Sequence, residues 1–199
     1  MCGRFVLFDE AEDEELRRIV DEINQRLKGA DDAPKLKTGE IFPTDNVPIL
    51  VARNGKQSAH PAKWGFPNIN KSGVIINARS ESLEEKPMFR RSFHERRCLI
   101  PAAGYFEWKK KDAKKEKFLI RTEYPLLYMA GLYGIYRDKN DSPYTSFVII
   151  TTGPAPAIAH IHNRMPAILR PDQVDIWLNS NDYKQLLIPY PGDLQFFIA

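Results

Sequence analysis

The chain has 199 residues, of which 43% are hydrophobic and 28% are charged, a composition typical of a globular protein with one sizeable core. Two cysteines are too few for a disulfide framework, and no segment reaches the roughly 18 apolar residues of a membrane-spanning helix. The formal net charge of +3 is compatible with nucleic-acid binding without indicating it, so the local placement of arginines is more informative.

The start of the chain predicts an intracellular protein. Acidic residues follow within the first ten positions and no long apolar run precedes them, so no signal peptide is predicted. We therefore expect a reducing, cytoplasmic location, which also suits a free thiol. Because no repeat, low-complexity tract or linker interrupts the sequence, we expect one domain over residues 1–199.

The spacing of apolar residues predicts many short strands and a few helices. The clearest helix is the first, because Leu16, Ile19 and Ile23 recur at helical spacing. The clearest hairpin turn is Asn54-Gly55. In chain order we predict a strand at 5–8, a helix at 16–27 that ends at Gly29, a loop at 30–46, strands at 47–51, 59–63 and 74–79, helical turns within 84–97, strands at 98–101, 104–108, 118–120, 126–133 and 147–152, a short helix at 155–161 and a helix at 171–178.

Cys2 is the first candidate functional residue. If Met1 is removed, Cys2 carries a free α-amine and a thiol on adjacent carbons, and this pair can close a thiazolidine ring on an aldehyde. The amine has a pKa of about 7.7–8.0 and the thiol about 8.5, so both need only modest activation near pH 7. Arg4 would add a positive charge beside the thiol and a fork for a phosphate. The alternative is an incidental cysteine on a frayed terminus.

Polar residues gather at the end of the predicted strand 74–79. Asn77, Arg79 and Glu81 are two residues apart, so they share one face while the chain is extended. A functional site and a solvated edge strand explain this pattern equally well. Arg90 lies in the next segment, where basic and aromatic residues are interleaved. This composition suits a nucleic-acid backbone but is commoner on a solvated surface.

Glu107 lies in the aromatic sequence Tyr105-Phe106-Glu107-Trp108. A desolvated carboxyl has a raised pKa and is a candidate general acid, whereas a strand with one wet face is the alternative. Period-2 alternation places Phe106 and Trp108 on the opposite face, so any desolvation of Glu107 has to come from a pocket. Cys98, in an apolar strand, is expected to belong to the core.

His160 and His162 precede Arg164. Two histidines at this spacing can bind zinc, but no further ligand cluster lies nearby in the sequence. A histidine that carries a proton beside an arginine is therefore favoured, and we expect neither a metal nor a cofactor.

Four motifs resemble the SRAP family, the SOS-response-associated peptidases that are understood as abasic-site shielding proteins. Each motif alone is weak, but the four in order, with cysteine at position 2, are highly specific. They span residues 2 to about 170 and are Cys2-Gly3-Arg4-Phe5, Asn77-Ala78-Arg79-Ser80-Glu81, Phe106-Glu107-Trp108 and His162-Asn163-Arg164-Met165-Pro166.

The resemblance implies both a fold and an activity. The implied fold is α+β, with a mainly antiparallel, barrel-like β core and peripheral helices. The implied activity is covalent capture of abasic sites in single-stranded DNA by a monomer, with Cys2 as the nucleophile. An autopeptidase or lyase activity is implied beside it. Asn77 would hold the terminus and the opened sugar, Glu107 would donate and accept a proton, and His162 would assist proton transfer.

The resemblance also implies a DNA-contact surface. The expected contact residues are Arg4, Pro43, Trp64, Arg79, Arg90 and Arg164. Two positions depart from the family pattern: Glu40 replaces the usual asparagine three residues before the proline, and residues 67–73 lack a tryptophan that often stacks on a base. Two other functions stay open, a true peptidase that acts beyond its own Met1 and a non-covalent reader of modified or single-stranded DNA.

Overall fold

The structure, a computed structural model, describes residues 2–7, 14–28, 34–68, 71–111 and 114–199. Its α-helices are α1 Glu14–Leu27, α2 Pro87–Glu95 and α3 Val174–Asn179. Its strands are β1 Arg4–Val6, β2 Glu40–Ile41, β3 Asn46–Arg53, β4 Lys56–Trp64, β5 Phe66–Pro67, β6 Val74–Ile75, β7 Asn77–Arg79, β8 Arg97–Ala102, β9 Gly104–Lys111, β10 Lys114–Thr122, β11 Leu127–Arg137, β12 Pro143–Thr152, β13 Met165–Pro166, β14 Ile168–Leu169 and β15 Leu194–Ile198.

Five strands close into a barrel in the order β12-β4-β3-β8-β11, because β11 pairs with β12 as well as with β8. All neighbours in this ring are antiparallel except β4 and β12, which run parallel. The strands β8 and β12 are nearly continuous apolar runs at their buried ends, as expected where both faces are covered. Short strands extend the barrel: β7 and β13 pair with β12, and β14 pairs with β11.

A second sheet, in the order β15-β10-β9-β1-β2, carries the N-terminal segment. All of its pairings are antiparallel. β9 and β10 form a hairpin, and Lys110, Lys114 and Lys115 near its lysine-rich end are exposed. β1 lies between β9 and β2, so the first residues of the chain run alongside Glu107.

The helices cover the barrel from outside. α1 packs on β3 and β4 and buries Leu16, Ile19 and Ile23, the residues that predicted it. α3 buries Trp177, whose indole N–H donates to the carbonyl of Cys98 at 2.9 Å. Cys98 is fully buried, so its predicted place in the core is confirmed. Among the described helices, none has the length and apolar character needed to cross a membrane.

The predicted fold class is confirmed, and so is the hairpin turn at Asn54-Gly55. Both turn residues have positive φ, +52° and +75°, which is the conformation that a two-residue hairpin loop requires. Position 8 of the first predicted strand and Gly29, the predicted end of α1, lie outside the described residues.

Three local predictions are wrong. The predicted loop 30–46 contains β2, which forms only because β1 offers it an edge. The predicted strand 74–79 breaks at Ile76, whose carbonyl accepts hydrogen bonds from both the Trp64 indole and the Ile149 amide. Of the predicted helix 155–161, only a 3-10 turn at Pro156–Ile158 forms, and the amides of Ile161 and His162 both donate to the carbonyl of Ile158 in the turn that follows.

Candidate functional site

The register of β1 against β9 places Cys2 beside Glu107. Arg4 lies opposite Phe106 and Phe5 opposite Tyr105, so the residues before β1 continue along Glu107. Cys2 is fully buried, and its thiol lies 3.5 Å from the carbonyl oxygen of Arg4. Cys2 is therefore held inside the fold.

Asn77 fixes the backbone of Cys2 from the opposite side. Its side-chain N–H donates to the carbonyl of Cys2 at 2.8 Å. Parallel pairing with β12, where Asn77 lies opposite Ile149, determines this position. Within the described part of the chain, the buried Oδ1 of Asn77 accepts no hydrogen bond, so it can accept one from a bound group.

Glu107 is buried in the same pocket, with 2% of its side chain exposed. Burial raises the pKa of Glu107 to about 7. Burial also raises the pKa of the Cys2 thiol, and the charge of Glu107 raises it further. Near neutral pH the pocket therefore holds a carboxyl that is protonated part of the time beside a neutral thiol.

His162 faces Glu107 at the mouth of this pocket, with its Nε2 3.9 Å from a carboxylate oxygen of Glu107. The backbone N–H of Arg164 donates to Nδ1 of His162 at 3.0 Å. The same Nδ1 also lies 3.2 Å from the carbonyl oxygen of Arg164, so the backbone of Arg164 fixes the ring with Nε2 towards Glu107. Burial lowers the pKa of His162, which favours the neutral ring.

Tyr105 is a residue of this pocket that the sequence analysis missed. It is fully buried, and its hydroxyl makes no hydrogen bond to any described residue. Burial raises the pKa of Tyr105, and the charges of Cys2 and Glu107 raise it further, in keeping with its place beside both. Period-2 alternation could have found it, because residues 105 and 107 share one face of β9.

An open groove of about 540 Å³ leads to the pocket. Glu107 and His162 lie at its floor, and Lys109, Lys110 and Lys115 of the β9–β10 hairpin lie along its wall. No group of three or more His, Cys, Asp and Glu side chains in the described ranges is arranged to hold a metal ion. The groove thus joins a buried acid–thiol pocket to a positively charged wall.

Comparison with known proteins decides the family. The family profile described as "SOS response associated peptidase (SRAP)" matches residues 1–197. The chain belongs to the SRAP family. The resemblance stated from the four motifs is thereby confirmed.

Several named proteins are similar to this SRAP chain. "Abasic site processing protein YoaM" of Bacillus subtilis is 35% identical over 207 residues, which cover 97% of this chain and 88% of that protein. "Abasic site processing protein YedK" of Escherichia coli is 28% identical over 182 residues, covering 90% of this chain and 80% of that protein. The similarity to both extends over most of each chain.

Solved structures share the SRAP fold of this chain. A crystal structure of a protein from Bacteroides thetaiotaomicron superposes with a TM-score of 0.80 at 22% identity, covering 99% of this chain and 91% of that one. A second, from Bordetella bronchiseptica, has a TM-score of 0.76 at 21% identity and covers 100% and 99%. At this level of identity the likeness concerns the fold.

The rim of the groove in this SRAP chain begins with Arg4. Its guanidinium lies 4.3 Å from the ring centroid of Phe42 and 5.3 Å from that of Trp108, and it pairs with Glu40 at 3.1 Å. Glu40 also pairs with Lys117 at 2.9 Å. Burial raises the pKa of Glu40, but hydrogen bonds from Lys117 and Arg4 outweigh it and hold this pKa below its ordinary value.

Arg164, predicted at a phosphate, is bound within the chain. Its guanidinium pairs with both carboxylate oxygens of Glu81 and donates to the carbonyl of Thr151 at 2.5 Å. The hydrogen bonds from Arg164 lower the pKa of Glu81 to about 2. These contacts orient the loop that carries His162, and phosphate contact by Arg164 stays a prediction.

The other predicted contact residues differ in exposure. Arg79 is exposed at the end of β7, and Arg90 is exposed while donating to the carbonyls of Glu84 and Glu85 at 2.6 and 3.4 Å. Pro43 is half-buried in the turn that follows β2. Their contact with DNA stays a prediction.

Trp64 is the exception, and its prediction as a DNA-contact residue is wrong. Its side chain is fully buried, 5.1 Å from the ring of Phe5 and stacked 6.3 Å from that of Phe147. Gly65 turns the chain here with φ +115°, where a Cβ would meet Cγ2 of Val74 at 2.6 Å. The indole therefore faces the core, and no base can reach it.

Proposed function

We propose that this protein captures abasic sites in single-stranded DNA by forming a thiazolidine with Cys2 after removal of Met1. The observation that carries the proposal is the buried cluster of Cys2, Asn77 and Glu107, in which a carboxyl with a pKa of about 7 adjoins a thiol. The names of the similar proteins, which describe abasic-site processing, support it.

The first step joins the amine of Cys2 to the ring-opened aldehyde of the abasic site. The nitrogen forms a bond to the aldehyde carbon, and the carbonyl oxygen becomes a hydroxyl. Protonated Glu107 then gives its proton to this hydroxyl, which leaves as water, and an iminium remains. A carboxyl whose pKa lies near the working pH suits this role, because it is protonated often enough to act and acidic enough to give the proton up.

The second step closes the ring. The thiol of Cys2 adds to the iminium carbon, and the Glu107 carboxylate formed in the first step takes the thiol proton. Amine, thiol and aldehyde thus become a thiazolidine and one water, and Glu107 returns to its starting state. The raised pKa of the thiol suits addition of a neutral S–H with a base beside it, and disfavours a peptidase that needs a free thiolate.

Asn77 and His162 have supporting roles in this proposal. Asn77 holds the Cys2 carbonyl and keeps Oδ1 for a hydroxyl of the opened sugar. His162, whose burial favours the neutral ring, assists proton transfer at the sugar hydroxyl during ring opening. The iminium is also the intermediate from which a lyase reaction would begin.

The proposed partner is a single strand whose phosphates contact Arg4, Arg79, Arg90 and Arg164, with Pro43 near the lesion. Arg79 is the exposed member with the least internal pairing, so it is the first phosphate contact to test. One copy of the chain supplies every proposed catalytic side chain, so we propose a monomer. The proposed place of action is the cytoplasm, at the nucleoid when DNA is bound.

The test mixes the protein with abasic and intact single-stranded oligonucleotides and resolves the products on a denaturing gel. We expect a denaturation-resistant adduct on abasic DNA alone, and intact mass spectrometry should show loss of one water in its formation. A protein whose N-terminus is blocked by an uncleaved extension should form no adduct, because its amine is an amide. An adduct from the blocked protein would refute the mechanism, and binding without an adduct would favour the non-covalent reader.

A further inference from the structure

We propose that Phe196 and His160 form a stacking platform for a nucleobase that flanks the abasic site; this inference rests on the proposed function. Phe196 lies on β15 and is 41% exposed, and His160 is also exposed. Their ring centroids are 5.3 Å apart at an interplanar angle of 67°. His160 also lines the groove that leads to Glu107, so the ring pair adjoins the proposed site.

The strand register of the second sheet places Phe196 on the same face of the sheet as Glu107. Glu107 lies opposite Phe118 on β10, and Tyr105 lies opposite Ile120, which in turn lies opposite Phe196 on β15. Directly opposed residues point to the same side of a sheet, so Tyr105, Glu107 and Phe196 share one face. Phe196 is two strands from β9, about 10 Å across the sheet. A nucleotide next to the captured one can therefore reach it.

Charge along the groove favours a nucleic acid over an apolar partner. Lys109, Lys110 and Lys115 line the groove, with Glu116 opposite Lys109 on the paired strand. A basic wall with exposed aromatic rings is the combination that single-stranded nucleic-acid sites use, since every base has a face that can stack. Aromatic and histidine side chains are both known stacking partners for unpaired bases.

The stacking platform would also replace a base-stacking tryptophan that this sequence lacks. Residues 67–73 contain no aromatic side chain where the family often has a base-stacking tryptophan, and Trp64 is buried. Phe196 is held from below by Phe118, whose ring lies 6.3 Å away edge-on, so the exposed ring has a fixed position. A base can thus stack on the exposed pair of rings beside the groove that His160 lines.

The experiment measures binding without chemistry, using native protein and a single-stranded oligonucleotide with a tetrahydrofuran abasic analogue, which has no aldehyde. One probe carries bases on both sides of the analogue, and the other carries base-free residues there. Fluorescence anisotropy compares the wild type with Phe196→Leu, Phe196→Ala and His160→Ala. Ile135→Ala is the matched control, because Ile135 is an exposed apolar side chain on the barrel, 53% exposed.

Stacking on one aromatic side chain accounts for about a 5- to 100-fold change in Kd, and a half-exposed ring should lie at the lower end. We expect Phe196→Leu and Phe196→Ala to weaken binding of the probe with flanking bases about fivefold or more. The same variants and the wild type should bind the base-free probe equally, and Ile135→Ala should change neither.

Equal losses on both probes, or no loss on either, would overturn the platform. Phe196→Leu keeps apolar contact with Phe118. Circular dichroism of this variant therefore shows whether a loss of binding comes from the missing aromatic ring or from unfolding. A change of mass in solution for Phe196→Ala with unchanged DNA binding would assign the surface to a second copy instead. Failure of the wild type to cross-link natural abasic DNA would refute the proposed function and is read in a separate assay.

Discussion

The buried pocket beside Cys2 and the ion pair of Glu81 with Arg164 shift the pKa of a glutamate in opposite directions. In the pocket, burial raises the pKa of Glu107 to about 7. In the ion pair, hydrogen bonds from Arg164 lower the pKa of Glu81 to about 2. Near neutral pH, Glu107 is thus protonated part of the time and can donate a proton, whereas Glu81 stays ionised and pairs with Arg164.

The difference shows what each region is suited to do. A carboxyl that exchanges its proton near neutral pH can take part in acid–base chemistry. A carboxylate that is permanently charged can only orient its partner, here the arginine of the loop that carries His162. The environment of each glutamate, and not its residue type, decides whether it can take part in acid–base chemistry or only orient another side chain.

The largest expected effect comes from removing the proton of the pocket. Glu107→Gln keeps the shape of the side chain but cannot donate or accept as an acid does. A general acid–base contribution is typically about 10²–10⁴-fold, so adduct formation should slow on that scale while DNA binding persists. A single-turnover time course on abasic single-stranded DNA measures it, with Glu84→Gln on the exposed surface as control. Wild-type kinetics from Glu107→Gln would make Glu107 a structural residue.

The pH dependence sharpens the same assignment. With a pKa of about 7, Glu107 is mostly protonated below pH 6 and mostly ionised above pH 8. The ratio of the wild-type rate to the Glu107→Gln rate should therefore be flat at low pH and fall about tenfold per pH unit above about pH 8. Taking the ratio removes the titration of the amine and the thiol, which both proteins share. A ratio that rises with pH would contradict the acid role.

Arg164 and Arg79 should respond differently to truncation. Arg164→Ala removes hydrogen bonds to Thr151 and Glu81, and we expect a loss of about 1–3 kcal/mol in the free energy of unfolding. Arg79→Ala, at an exposed position, should change stability by about 0.5 kcal/mol or less. It should instead flatten the salt dependence of single-strand binding, reducing the slope of log K by about 0.7.

Urea denaturation and a salt titration measure these two quantities on both variants. Arg164→Ala that keeps wild-type stability would show that the Glu81 and Thr151 contacts contribute little. An unchanged salt slope in Arg79→Ala would remove Arg79 from the phosphate contacts.

Glu40 should limit the affinity of Arg4 and Lys117 for single-stranded DNA. Glu40→Gln releases Arg4 and Lys117 from their carboxylate, so each can contact a phosphate. We expect tighter single-strand binding and a salt slope that steepens by about 0.7 for each phosphate gained. Glu14→Gln, which removes an exposed carboxylate on α1, is the charge-matched control. Weaker binding by Glu40→Gln would mean that Glu40 positions Arg4 for DNA instead of competing with it.

A small effect is expected at Tyr105. Its hydroxyl is buried without a hydrogen bond to a described residue, a state that costs stability in proportion to the lost solvation. Tyr105→Phe should therefore leave the free energy of unfolding unchanged or raise it by about 1 kcal/mol. Urea denaturation measures this, and a clear loss of stability would show that the hydroxyl has a partner in the folded protein.

Local patterns in the sequence determined a large part of the fold and the family of this protein. Helical spacing predicted α1, two turn residues predicted the hairpin between β3 and β4, and four motifs identified the family. Period-2 alternation also placed Glu107 on the face opposite Phe106 and Trp108, since the alternation of a strand depends on neighbours in the chain. The same rule, applied two residues earlier, would have added Tyr105.

Only the tertiary structure decided which side chains are buried and which partners they have. The resemblance implied that Trp64 contacts DNA, yet the parallel pairing of β4 with β12 places its side chain inside the barrel. Arg164 reads as a free cation, yet Glu81 and Thr151, far away in the sequence, occupy its guanidinium. The pKa of Glu107 depends on the segments that cover it. Burial and partner choice come from long-range pairing, which leaves no periodic signal in the local sequence.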